Sequence, residues 1–248
     1  MLRSMLGFWL WALLLPMVQA GEGIWVGRFD SANSAVPAPW RLMQLDKHVL
    51  PTQYRVRLWD GIPGIEAMAD HSMTLLARPV EIDLSRTPIL CWLWRVDAPL
   101  INADMAAKSG DDYAARVYVA FKLPDSNLDF FTRAKLNLAR TVYGHEVPDA
   151  ALNYVWDNRY PIGTSRPNAY TGRARMIVVE SGSANAGKWV AERRDLLSDF
   201  KLGFETDHGK VTMLAVASDT DNTAEKARAG FAELHFVPRE QPCALAVK

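Results

Sequence analysis

Apolar and polar positions alternate along much of this chain with the period of two expected of half-buried strands. The segment that organises the rest is Gly110 to Phe121 (GDDYAARVYVAF). Asp111 and Asp112 lead into it. Ala115, Val117, Val119 and Phe121 then share one face, with Arg116 and Tyr118 on the other. Tyr54 to Trp59 alternates in the same way and ends at an Asp60-Gly61 turn, and Val80 to Leu84 is a further alternator. Ile89 to Val96 (ILCWLWRV) is apolar on both faces until Arg95, the pattern of a strand covered on each side. Shorter runs at Ile24–Phe29, Leu152–Trp156, Met176–Glu180, Val211–Ala217 and Phe231–Val237 complete the strand set.

Two stretches change period. Phe130, Phe131, Ala134, Leu138 and Val142 recur at helical spacing, with Arg133, Lys135 and Arg140 between them. Core packing of a helical insertion is favoured there over a basic helix lying on a membrane surface. Leu196, Phe200 and Phe204 stand four apart in a second predicted helix, with Gly203 and Gly209 as terminators. Many short strands without regular strand–helix alternation predict a mostly β protein: one antiparallel β-sandwich over residues 21–248, with short helical insertions.

Residues 1–20 read as a signal peptide, with an uncleaved membrane anchor as the alternative. Arg3 gives a basic start, Gly7 to Leu15 an apolar run, and Val18-Gln19-Ala20 a cleavage signal, so a periplasmic or secreted protein is expected. No later stretch approaches the roughly 20 apolar residues of a membrane-spanning helix, which predicts no transmembrane segment in the mature chain. The 248 residues are 49% apolar, with 28 basic and 28 acidic side chains and no basic tract. That composition suits a globular core and excludes nucleic acid as the expected partner. Cys91 lies in an apolar strand and Cys243 in the tail. In an oxidising compartment a bridge between them would pin the tail to the sheet; buried unpaired cysteines are the alternative, and spacing leaves both open.

Candidate chemistry rests on carboxylates. Ser218 to Thr223 (SDTDNT) gathers Asp219, Asp221 and Asn222, hard oxygen ligands suited to Ca²⁺, the one cofactor the sequence raises. An EF-hand is excluded by Ala224 and Gly230 at its sixth and twelfth positions, and an Asx-turn with a helix cap is the competing reading. Asp111, Asp112, Glu180 and Asp219 offer acid–base pairs of the kind glycoside hydrolysis uses. Arg193 offers a planar fork for a carboxylate, or a structural salt bridge. No GxSxG, HExxH, P-loop or dinucleotide fingerprint occurs, and His48, His71, His145, His208 and His235 lack ligand spacing. Trp92 and Trp94 suit a core. Trp40, Trp59, Trp156 and Trp189 lie near strand or loop ends, where aromatic faces can stack on sugars. The long loop before Arg173 is a further functional candidate by its length.

Taken in order, ILCWLWRV, KSGDDYAARVYVAF, LNYVW, MIVVESG, KWVAERRDLLSDF, AVASDTDNT and FAELHF resemble the bacterial family catalogued as domain of unknown function 3047. The resemblance runs from about Trp40 to Val237. It implies an exported single-domain protein of jelly-roll-like architecture, similar to many carbohydrate-binding modules, and brings no established activity. Matching polar positions are Arg95, Asp111, Asp112, Arg116, Glu180, Arg193, Arg194, Asp195, Asp199, Asp219, Asp221, Asn222 and Thr223. The expected ligand-binding set is Arg95, Asp111, Asp112, Arg116, Tyr118, Glu180 and Arg193, facing a glycan or other small polar envelope ligand. A hydrolase or lyase using paired carboxylates is the alternative, and a structural or partner-binding envelope protein the third reading.

Overall fold

A computed structural model describes residues 23–30, 33–143, 147–206 and 208–247. The predicted signal peptide and His145 lie outside the described residues. In chain order the strands are β1 (Ile24–Gly27), β2 (Arg41–Met43), β3 (Gln53–Trp59), β4 (Ile62–Asp70), β5 (Leu75–Ile82), β6 (Ile89–Val96), β7 (Tyr113–Lys122), β8 (Ala150–Asp157), β9 (Ser165–Pro167), β10 (Ala174–Ser181), β11 (Val190–Asp195), β12 (Lys210–Asp219) and β13 (Lys226–Val237). Helix α1 (Phe130–Tyr143) follows β7, and α2 (Leu196–Phe204) follows β11.

These strands form the two layers of a β-sandwich. A six-stranded sheet runs β11-β6-β13-β4-β3, with β1 also paired to β13; a seven-stranded sheet runs β2-β5-β12-β7-β8-β10-β9. All pairings among these strands are antiparallel except β8 with β10, which run parallel through the long 158–173 connection. Four strands had no counterpart in the periodicity, β2, β4, β9 and β11; of these, β4 returns from β3 through Asp60 (φ 52°) and Gly61 (φ 80°), the left-handed pair of a tight hairpin.

Between the sheets, alternate side chains interdigitate as sandwich packing requires. Ala115, Val117, Val119 and Phe121 of β7, with Tyr154 and Trp156 of the adjacent β8, face Trp92 and Trp94 of the other sheet in one shared core. The aromatic rings meet at centroid distances of 5.7 Å (Trp92–Trp94), 5.4 Å (Trp92–Tyr154) and 5.6 Å (Trp94–Trp156). The Cys91–Cys243 disulfide ties the tail to β6 across 152 residues. Closing so long a loop restricts the unfolded chain and contributes roughly 3–5 kcal/mol. No helix among the described residues is long and apolar enough to cross a membrane.

Three expectations are corrected. First, α1 turns its predicted core stripe outward: Phe130 (71%), Phe131 (74%) and Leu138 (67%) are exposed, and among the described side chains of that helix Leu136 is the buried one. Spacing fixed which residues share a face, while the packing of Leu136 decided which face docks. Second, Trp40, Trp59 and Trp156 are buried, so they stabilise the layers and offer no sugar platform; Trp189 is half-buried with its edge against Trp59. Third, α2 keeps Gly203 within its last turn and ends instead at Glu205 in the left-handed region (φ 56°).

Candidate functional site

The outer face of the seven-stranded sheet carries the acidic strand ends. A register shift where β12 meets β7 pairs Ala217 with Arg116 and Asp219 with Tyr113. Such a bulge re-aims side chains. Tyr113 and Arg116, three apart, consequently share the outer face, flanked by two small apolar clusters. Arg116 Nη2 donates to Asp219 Oδ2 at 2.6 Å, with both side chains buried.

Three loops close over this pair. From the segment before β7, Asp111 and Asp112 enter; Asp112 Oδ2 accepts from the Thr223 amide (2.6 Å) and hydroxyl (2.8 Å). From the long connection, Asn168 Nδ2 donates to both Asp111 oxygens (3.0 and 2.8 Å), and the Tyr170 hydroxyl donates to Asn222 Oδ1 (2.8 Å). From the turn after β12, Asn222 Nδ2 donates to Asp221 Oδ2 at 2.9 Å. One oxygen each of Asp112, Asp219 and Asp221 lies within 4.8 Å of the others.

Electrostatically the cluster is short of positive charge. Burial raises the Asp219 pKa well above the carboxylate range; Arg116 opposes this, while Asp112, Asp111 and Asp221 add to it. Burial also raises Asp111, against Arg116, Asn168 and Tyr113, and raises Asp221, helped by Asp112. For Arg116, burial works against the charge but Asp219 and Asp111 outweigh it and raise its pKa. Tyr118, next along the outer face, is pushed up to about 12 by burial.

Beyond Tyr118 the same face opens into a groove of about 430 Å³. Ala120 and Met213 line it, and both belong to the outer apolar cluster that Tyr118 packs against. Arg41, Lys122, Arg140 and Thr212 stand around them. Buried Asp149 holds Arg140 (2.7 Å) and Lys122 (3.3 Å) in place.

The predicted site residues therefore divide. Asp111, Asp112, Arg116, Asp219, Asp221 and Asn222 meet in one cluster, with Tyr118 beside it. Arg95 lies on the outer face of the other sheet, its guanidinium 4.1 Å from the Trp59 ring centre and paired with Asp60. Arg193 is also on the six-stranded sheet, donating to the Arg239 carbonyl (2.6 Å). Glu180 sits at the inner edge opposite β11, where Asn185 donates to it (3.2 and 3.4 Å). Near it Glu192 accepts from Trp94 Nε1 (3.2 Å); burial, and then the charge of Glu180, push its pKa up to about 8. Sequence reasoning missed Tyr113, Asn168, Tyr170, Glu192 and the groove cations Arg41 and Lys122; only the length of the 158–173 loop pointed to Asn168 and Tyr170.

Several solved structures are distantly similar. An exo-β-agarase shares 11% identity over 89% of this chain, which spans 26% of the agarase, at a TM-score of 0.36. The xyloglucanase domain of NopAA, a type three effector from Sinorhizobium fredii in complex with cellobiose, shares 9% identity over 82% of this chain and 98% of that domain (TM-score 0.37). Endoglucanase 3 of Trichoderma harzianum, from family GH12, shares 9% over 81% and 98% (TM-score 0.30). At such low scores these likenesses bear on neither fold nor chemistry. No curated protein matches the chain. The model of the family described as "Protein of unknown function (DUF3047)" matches residues 38–235, and the chain belongs to that family.

Proposed function

We propose that this is an exported ligand-binding β-sandwich, and that the outer face of its seven-stranded sheet holds an envelope glycan with acidic substituents. The observation that carries the reading is the groove in which Ala120 and Met213 meet Arg41, Lys122, Arg140 and Thr212. A sugar presents C–H faces and hydroxyls together, so it suits an apolar floor beside hydrogen-bonding groups. Lys122 and Arg140, two cations on the single carboxylate of Asp149, favour an acidic sugar over a neutral one. The Cys91–Cys243 bridge supports an oxidising compartment, the periplasm or the exterior.

Calorimetric titration with acidic and neutral oligosaccharides tests the proposal. Acidic chains are expected to bind, and Lys122→Ala and Tyr118→Ala to weaken binding about tenfold, or 1.4 kcal/mol, with the circular dichroism spectrum unchanged. Absence of binding by both sugar classes, or variants indistinguishable from wild type, would overturn it.

A hydrolase is the second reading, favoured by Glu192. Burial, and then Glu180, push its pKa up to about 8, which suits it to donate a proton, and glycosidic cleavage uses such an acid with a second carboxylate nearby. Release of reducing ends from acidic polysaccharide, abolished in Glu192→Gln, would support it; no release would end it.

A further inference from the structure

We propose that Asp112, Asp219 and Asp221 bind one hard divalent cation of the Ca²⁺ class. The site is distinct from the groove, and its standing does not depend on the glycan reading. Their three carboxylate oxygens lie within 4.8 Å of one another, a separation that one cation with ligands at about 2.3–2.6 Å can bridge. The donor set is oxygen alone, which selects a hard ion over zinc or copper.

A second observation is independent of that proximity. Asp112 Oδ1 and Asp219 Oδ1 are buried and have no hydrogen-bond partner among the described residues. Their residues are 0% and 1% exposed. The opposite oxygens are already committed, Asp112 Oδ2 to Thr223 and Asp219 Oδ2 to Arg116, so each carboxylate is held with its second oxygen unspent. Leaving a buried acceptor unmatched costs about 1–3 kcal/mol, more for a charged one. Coordination would recover that cost.

Charge balance points the same way. Four carboxylates, Asp111, Asp112, Asp219 and Asp221, surround the one guanidinium of Arg116. Around them Thr223 fixes Asp112 and Asn222 fixes Asp221, the outer contacts that orient ligands in metal sites. Asn222, expected as a ligand, thus positions one instead, and Asp112 stands in the ligand set in its place. The other cluster of ligand-type residues, Cys91, His235 and Cys243, has both sulfurs committed to the disulfide.

The test is titration of chelator-treated full-length protein with Ca²⁺ and, separately, Mg²⁺, followed by calorimetry and thermal melting. One Ca²⁺ per chain is expected, with a raised melting temperature. Asp221→Asn should weaken Ca²⁺ binding by about tenfold or more while the circular dichroism spectrum stays unchanged; Asp70→Asn, a carboxylate paired with Lys226 on the other sheet, should bind as wild type. No heat and no melting shift with either ion, or an Asp221→Asn variant that binds as wild type, would overturn the site. Tighter binding of Mg²⁺ than Ca²⁺ would overturn the assignment to the Ca²⁺ class.

Discussion

Each sheet carries a cluster of carboxylates and guanidinium groups on its outer face, and the two are built in opposite proportions. On the six-stranded sheet a single fully buried carboxylate, Glu66, accepts from Arg55, from Arg57 (2.8 Å) and from Arg228 (2.7 Å). Trp59 packs against the same arginines, 4.2 Å from Arg228 and 5.0 Å from Arg57. On the seven-stranded sheet one arginine faces four carboxylates. Burial alone would raise Glu66, but Arg55, Arg228 and Arg57 reverse the effect and hold it at about 2; at Asp219 burial wins. A carboxylate with both oxygens bonded is a structural lock, whereas buried oxygens left over mark a place with capacity for more positive charge.

The largest expected effect breaks the lock. Glu66→Ala leaves three guanidinium groups without their shared partner and is expected to cost about 3 kcal/mol, the low end of the range because those arginines remain 35–51% exposed. Urea midpoints measure it, and a loss below about 1 kcal/mol would make the two clusters alike.

Acid provides the next test. In the window between 4.5 and about 2 the folded Glu66 binds fewer protons than the unfolded chain, so its contribution is present above 4.5 and is lost as pH falls toward 2. The expected loss is about 3 kcal/mol. Glu66→Gln should show a flatter acid limb; parallel limbs would break the account. Glu192 supplies the opposite sign. Its pKa rises from 4.5 to about 8 on folding, so it favours the folded state at low pH and that stability is lost as pH rises through this interval. Glu192→Gln should remove the decline, a gain of about 1–2 kcal/mol at pH 8 after allowing for partial exposure.

How much of this was legible depended on whether the information was local. The run Ile89–Val96 announced a strand covered on both sides and is one, because eight apolar-rich residues leave few alternatives. The strand Ile62–Asp70 was hidden because Pro63, Gly64 and the small alanines blur the alternation. The acidic turns at Asp111-Asp112 and Asp219-Asp221 were visible, yet their meeting is set by the register of β12 on β7, about which neither segment carries a signal. Arg95 and Arg193 went to the other sheet for the same reason: a charge on a strand does not declare which layer the strand joins.

The smallest predicted effect separates the clusters most sharply. With cations removed by chelator at pH 7, Asp221→Asn takes one like charge out of the group around Arg116 and leaves an amide oxygen able to accept from Asn222 Nδ2, as Asp221 Oδ2 does at 2.9 Å. Burial, and then Asp112, make the ionised form of Asp221 costly in the folded chain. Neutralising it is therefore expected to leave stability unchanged or raise it by about 0.5–1 kcal/mol, whereas neutralising Glu66 lowers it. Urea midpoints of the two Asn and Gln variants, measured side by side in chelator, give the comparison directly. Should Asp221→Asn cost about 2 kcal/mol or more, the Asp221 carboxylate would be held as firmly as the Glu66 lock, and the contrast between the two clusters would fail at that residue.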